Sequence, residues 1–361
     1  MFLFMPADNQ MPRLTPSAFS TGGIRSRGTA ADLWKAAMHI GLAIGLAASA
    51  FAADRKKDEA RMLPQDMPSD LRVLDNILYK QAAGQCLWIT FFSPLQNTEG
   101  PTPLVVYIHG GGWTGGNRYG MIRPQIANVI RNLNHAGITC ASIDYRLASP
   151  GKTSVMESVA DCKDALRFLV KNAKKFRIDP DRIALFGESA GGHLLLVTGL
   201  GDEEDYPCDH SIPGAPVKVR CMVSYYPRVS FSDPALLVTE QSDLEQIEKH
   251  MQRILNVPWK SDPTLLRNLS PLELVQSNSP PIQIIHGDQD KVLPVANALA
   301  MQDIAATKGI ELECIIVKGA DHCFDGKDIH PTDEEIQTST VDFLTKHLKQ
   351  LTPVHIQQAT P

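Results

Sequence analysis

A serine between two glycines, set where a strand gives way to a helix, constrains this chain more than anything else in it. The run Gly187-Glu188-Ser189-Ala190-Gly191 follows the apolar stretch Ile183-Ala184-Leu185-Phe186 and precedes the helix-forming Gly192-His193-Leu194-Leu195-Leu196. A strand, a sharp turn and a helix are the context in which G-x-S-x-G means a nucleophile elbow. Small residues flank Ser189, so the chain can turn tightly and leave room against Oγ. The helix that follows points its N-terminal amides at any negative charge that develops there.

A serine hydroxyl is a useful nucleophile only when a base takes its proton and a third group orients the base. Two downstream segments can supply both. Pro281-Ile282-Gln283-Ile284-Ile285-His286 reads as a buried strand opening into Gly287-Asp288-Gln289-Asp290, and residues 310–317 read as another strand ending in Gly319-Ala320-Asp321-His322. Open α/β sheets place their chemistry on loops at the C-terminal ends of parallel strands. Ser189, an aspartate near 290 and His322 would therefore emerge on one edge, in the chain order Ser, Asp, His. Asp288 and Asp290 both follow the same strand and compete for the acid role. Asp321 adjoins His322, and sequence neighbours on a loop seldom aim their side chains at each other.

A fourth part lies upstream. The continuous apolar strand Leu104-Val105-Val106-Tyr107-Ile108 is followed by His109-Gly110-Gly111-Gly112-Trp113. Consecutive glycines cost chain entropy, and they make sense where bare N–H groups must approach the oxyanion that acyl transfer creates.

Together with Asp144-Tyr145-Arg146-Leu147 and His286-Gly287-Asp288-Gln289-Asp290, these motifs resemble the α/β-hydrolase esterases of the hormone-sensitive-lipase and carboxylesterase type. Within that group the chain is most similar to the small bacterial branch that includes feruloyl and acetyl-xylan esterases. The likeness covers about residues 70–350. It implies Ser189 as nucleophile, Asp290 as acid, His322 as general base, and the amides of Gly111, Gly112 and Ala190 as the oxyanion hole. Trp113 stands where many relatives carry Phe or another aromatic. Trp113 and Glu188, beside the glycine loop and the serine, are the candidates for substrate contact, with core filling by Trp113 and anchoring of the loop by Glu188 as the alternatives. His109 is expected to brace the glycine loop, His193 to pack, and Asp144, Tyr145 and Arg146 to tie adjacent loops.

The remaining chain fits one α/β-hydrolase domain over residues 71–350: a mainly parallel sheet covered by helices on both faces, with a small cap insertion at about 228–279. Residues 72–79 and 86–92, with Gly84 between, suggest an antiparallel hairpin at the sheet edge. Ile126, Val129, Ile130 and Leu133 fall at helical spacing, as do Val159, Cys162, Leu166 and Leu169. Thr332 and Glu335 form a capping box for a last helix. Residues 201–218, rich in Asp, Glu, Pro and Gly, read as a surface loop, and 351–361 as a tail.

Residues 1–53 read as a leader. Arg25, Arg27 and Lys35 precede an Ala/Gly/Leu-rich stretch at 36–53 that ends in small-x-small cleavage patterns, with a charged linker at 54–70. This is a secretory signal pattern, too short and too rich in Ala and Gly for a permanent span, so an exported protein with no membrane span after processing is expected. A net charge of −5 provides no basic footprint for nucleic acid. The seven cysteines lack metal-ligand spacing; Cys208 and Cys221 could pair in an oxidising compartment, whereas Cys140 and Cys314 suit core positions.

The expected function is a carboxylic-ester hydrolase needing no metal or organic cofactor, acting on small-molecule or polysaccharide-linked esters. Two alternatives stand beside it: a serine peptidase of the prolyl-oligopeptidase type, and a non-catalytic binding protein on the same fold. Against the peptidase, the chain before residue 70 is too short for a propeller domain.

Overall fold

In the computed structural model, strand β3 (Thr102–Ile108) sends Leu104, Val106 and Ile108 to one face of a sheet and Val105 and Tyr107 to the other, and both sets are buried. A strand with no polar side belongs to a sheet covered on both faces, and the rest of the molecule supplies the covers. The structure describes residues 71–95, 99–209, 211, 212, 214, 216–238 and 244–349, all within the second of two units, Met62–Pro361. The leader, its cleavage region, the linker and the tail expected at 1–53, 54–70 and 351–361 lie outside the described residues.

The sheet is eight-stranded. Strands β1 (Arg72–Ala82) and β2 (Gln85–Ser93) form the antiparallel hairpin at its edge, and β2 pairs antiparallel with β4 (Thr139–Ile143). From β4 onward all pairings are parallel, through β3, β5 (Ile178–Glu188), β6 (Cys221–Tyr225), β7 (Ile282–Gly287) and β8 (Leu312–Val317), in the order β1-β2-β4-β3-β5-β6-β7-β8. This is the expected α/β-hydrolase architecture.

Helices divide between the two faces according to their apolar stripes. Helix α1 (Pro124–His135) buries Ile126, Val129, Ile130 and Leu133 against the face of Val105 and Tyr107. Helix α6 (Asp333–Lys349) joins it there through Ile336, Phe343, Leu344 and Leu348, behind the Thr332/Glu335 capping box. On the opposite face lie α2 (Val155–Lys171), α3 (Ser189–Leu200) and α5 (Ala296–Lys308). Each fully buried Val, Leu or Ile side chain contributes about 1.5–3 kcal/mol, so placement of the helices is dominated by these stripes.

The insertion at 228–279 packs more intimately than a detached cap would. Helix α4 (Leu244–Leu255) buries Ile247, Met251, Ile254 and Leu255, and the turns around it bury Val229, Phe231, Leu237, Leu266 and Leu269, all within the same core as α2 and α3. The Cys208–Cys221 pairing is not formed; both are free thiols.

Candidate active site

The sheet delivers three loops to one edge. Ile108 and Gly187 are partners across β3 and β5, and His286 is paired with Ile316 across β7 and β8. The glycine loop, the serine turn and the aspartate and histidine loops therefore leave their strands at matching heights.

Ser189 sits at φ 50°, the left-handed region that β-to-α elbows impose on their central residue. That conformation survives because the surroundings allow nothing larger nearby. A Cβ on Gly187 would lie 2.5 Å from the Ile108 carbonyl oxygen, and one on Gly191 would overlap the carbonyls of Ile108 and His109. The flanking glycines are thus required by the close passage of β3, which brings the glycine loop against the serine.

The Ser189 hydroxyl is 3.0 Å from Nε2 of His322, and Nδ1 of His322 is 2.8 Å from Oδ2 of Asp290. A carboxylate only accepts, so Nδ1 carries the proton and Nε2 is left to accept from Ser189. Asp290 is fully enclosed at its side chain. Burial works against its charge, but hydrogen bonds from His286 and His322 outweigh burial and hold the carboxyl well below the usual range. Oδ1 also accepts from the amides of Val292 and Leu293, each at 2.8 Å.

The competing acids are occupied elsewhere. Asp288 accepts from the Gly319 amide at 2.8 Å. Asp321 caps His322 through the backbone, accepting from its amide at 2.7 Å, and pairs with Lys291. Of the three candidates, the structure brings Asp290 to the imidazole.

Gly111 and Gly112 have φ values of 120° and 59°, and the Gly111 carbonyl accepts from the amides of Thr114 and Gly115. Ala190 lies in the first turn of α3, where amides have no intrahelical partner. A Cβ on Gly110, next before Gly111, would lie 3.3 Å from Cβ of Ser189, so the glycine loop runs beside the serine. His109 braces the loop: its ring stacks on Tyr145 at 4.2 Å, and Nδ1 donates to Gly110 O at 2.7 Å. Burial pushes its pKa down to about 4, so this imidazole is neutral. Behind the loop, Tyr145 donates to His109 O, Arg118 pairs with Asp144, and Arg146 pairs with Asp161.

Trp113 and Glu188 are both buried, which fits their alternative readings as core and loop anchor rather than substrate contacts. Trp113 adopts φ 61°, which turns the indole into the core against Phe231, and its Nε1 donates to Nδ1 of His193 at 3.1 Å. His193 in turn donates from Nε2 to Leu269 O at 2.8 Å, so it is a hydrogen-bonded bridge rather than simple packing. Glu188 is buried beside the serine with its carboxylate consumed by protein groups. Oε2 accepts from Tyr226 at 2.8 Å, Oε1 accepts from Tyr107 at 3.1 Å and the Gly110 amide at 3.4 Å, and Arg123 pairs with Oε1. Tyr226 also holds its ring 4.7 Å from that of His322.

Sequence reasoning missed Tyr226 and His286 as parts of the site. His286 Nε2 faces Asp290 at 3.2 Å and Leu293 O at 2.9 Å. Only its four-residue spacing from Asp290 hinted at this. Among the described residues, no cluster of His, Cys, Asp and Glu could hold a metal ion.

A family model described as BD-FAE matches residues 91–304. Over 230 residues the chain is 30% identical to Esterase LipC of Mycobacterium tuberculosis, a match covering 62% of this chain and 54% of that protein. The chain spans about half the length of the curated relatives it matches. Among solved structures, the native form of esterase Est2 from Thermogutta terrifontis is similar with a TM-score of 0.62 at 22% identity, covering 80% of this chain and 95% of that one. A truncated carbohydrate esterase from gut microbiota is similar with a TM-score of 0.63 at 22% identity, covering 78% and 99%. These two likenesses concern the fold.

Proposed function

Because the chain belongs to the BD-FAE family, and because Ser189, His322 and Asp290 stand in one hydrogen-bonded line, we propose that it is a serine carboxylic-ester hydrolase working through an acyl-enzyme. The line is the observation that carries the reading. Ser189 attacks the ester carbonyl as His322 Nε2 takes its proton, and Asp290 keeps Nδ1 protonated and the ring oriented. The amides of Gly111, Gly112 and Ala190 receive the oxyanion. His322 then protonates the departing alcohol, and a water deprotonated by the same nitrogen releases the acid.

Glu188 acts on this machinery through its neighbours. It holds the Gly110 amide on one side and Tyr226, against His322, on the other. Glu188→Gln keeps the size but loses the charge that four donors share. Misplacement by about 1 Å can cost about 10²-fold, so kcat is expected to fall about tenfold to a hundredfold with the fold retained. Steady-state kinetics beside a thermal melt checks this, and unchanged kcat refutes the positioning role.

Short acyl groups, free or on carbohydrate, are the proposed substrates. In support, Ile247, Met251, Ile254 and Leu255 of α4 are spent in the core and only Leu244 of its apolar residues is exposed, leaving this helix little with which to wrap a long chain. Acetyl to butyryl p-nitrophenyl esters are expected to show higher kcat/KM than decanoyl esters, with acetylated xylan and methyl ferulate measured alongside. A deep tunnel would add up to about 0.8 kcal/mol per buried methylene, and a peak at decanoyl or longer would overturn the short-chain reading. Export follows from the leader as a proposal, checked by N-terminal sequencing of the native protein: a start just after Ala50 or Ala52 supports it.

A further inference from the structure

His286 lies at the end of β7, wholly enclosed, and only one of its two ring nitrogens is used. Nε2 is 2.9 Å from Leu293 O and 3.2 Å from Oδ2 of Asp290. A carbonyl and a carboxylate only accept, so Nε2 carries the proton and Nδ1 is the bare nitrogen. That Nδ1 is sealed with no partner. A buried nitrogen left unpaired weakens a fold, and leucine, similar in bulk, would pack at this place without one. Packing therefore does not account for a histidine here.

Its neighbours do. The single N–H of His286 serves both oxygens of Asp290. It faces Oδ2 directly, the oxygen that also accepts from Nδ1 of His322 at 2.8 Å. It holds the Leu293 carbonyl as well, and the amide of the same residue donates to Oδ1 at 2.8 Å. The loop from 290 to 293 is thus closed onto β7 with its carboxylate fixed at both ends. Further back, the amides of Asp288 and Gln289 donate to Val317 O and Ala320 O. Those bonds align the aspartate loop with the histidine loop without touching the carboxylate.

The N–H also has an electrostatic consequence. A donor on Oδ2 draws on the charge that this oxygen offers to His322, so it weakens the hold on a protonated imidazole. The other groups around the His322 ring and backbone are Ser189 on α3, Tyr226 after β6, Cys323 next in the chain, and Asp321, which is paired with Lys291. Burial raises the Tyr226 phenol and the Cys323 thiol, Lys291 and Asp321 stabilise each other's charges, and Asp290 is held low. None of these neighbours changes charge near neutral pH.

We propose that His286 is a positioning residue that acts through Asp290, fixing the carboxylate against His322 and setting the proton affinity of that general base. This rests on the ester-hydrolase reading above, and its test separates the two. In the full chain, kcat/KM for p-nitrophenyl acetate is followed against pH, where the acid limb reports the base of the free enzyme. His286→Leu removes the donor and is expected to raise that limb by about 0.5–1 pH unit and to lower kcat about tenfold. His286→Gln, whose amide can bring an N–H to a similar place, should restore the limb and recover most of kcat. A histidine with a structural role only would change the melting temperature and leave the limb where it is. A limb unmoved or lowered by His286→Leu, or left displaced by His286→Gln, overturns the proposal.

Should His286→Leu not fold, nitrogen-15 NMR of the wild type decides. The Nε2–H signal of His286 must shift as His322 titrates, because the two rings share Oδ2; an indifferent signal, or a proton on Nδ1, overturns the proposal. A wild type that turns over no p-nitrophenyl ester would count against the hydrolase reading instead. The His322 ring is then titrated by the same spectra in wild type and His286→Leu, where a raised midpoint in the variant supports the positioning role and an unmoved one overturns it.

Discussion

Ser189→Ala is expected to fold as the wild type does and to hydrolyse esters about 10⁶-fold more slowly, the scale of losing a triad nucleophile. The substitution deletes one hydroxyl, whose partner is His322, and alanine meets the same φ of 50° that serine already bears. The remaining parts would keep a residual acceleration of about 10³–10⁴ over water, because the oxyanion amides and substrate binding persist. Single-turnover kinetics with a p-nitrophenyl ester, beside a thermal melt, reads both halves of this expectation. An organophosphate should label Ser189 in the wild type and nothing in the variant. Activity within tenfold of wild type would remove the nucleophile assignment.

The second large effect belongs to the acid. Asp290→Asn is expected to lower kcat by about 10⁴-fold, since an amide can donate to Nδ1 of His322 and so favour the tautomer with a protonated Nε2, which cannot take the serine proton. Asp288→Asn and Asp321→Asn should each cost less than about tenfold, because their side chains secure backbone amides and Lys291 rather than the imidazole ring. Parallel kcat measurements on the three variants decide it. If Asp288→Asn were the inactive one, the loop would have to shift by two residues from the arrangement described.

The alternation of strands and helices was legible because burial on both sheet faces leaves unbroken apolar runs such as residues 104–108, while the helices show their stripes directly. The serine turn was legible because its glycines are forced by the approach of β3. What escaped reading is how the side chains around the triad close on one another in space. Glu188 meets Tyr107 across 81 residues of chain, and no local pattern announces that its carboxylate is fully used. Trp113 read equally as a substrate contact or as core, and only the packed structure, with its indole buried against Phe231, decides for core. The apolar residues of the insertion were visible, but whether they covered the site or joined the core depended on where the chain returned.

The carboxylate of Glu188 has a bearing on how such a site can change over time. Because the glycine loop and the tyrosine beside His322 hang from one pair of oxygen atoms, drift at Tyr107, Arg123 or Tyr226 is felt by both halves of the machinery together. Substitutions there are epistatic: a second change at the same hub adds little once the first has loosened it, and repair requires restoring the hub rather than either arm. Diversification of specificity is therefore channelled away from the elbow and its supports, toward positions that make no contact with this hub.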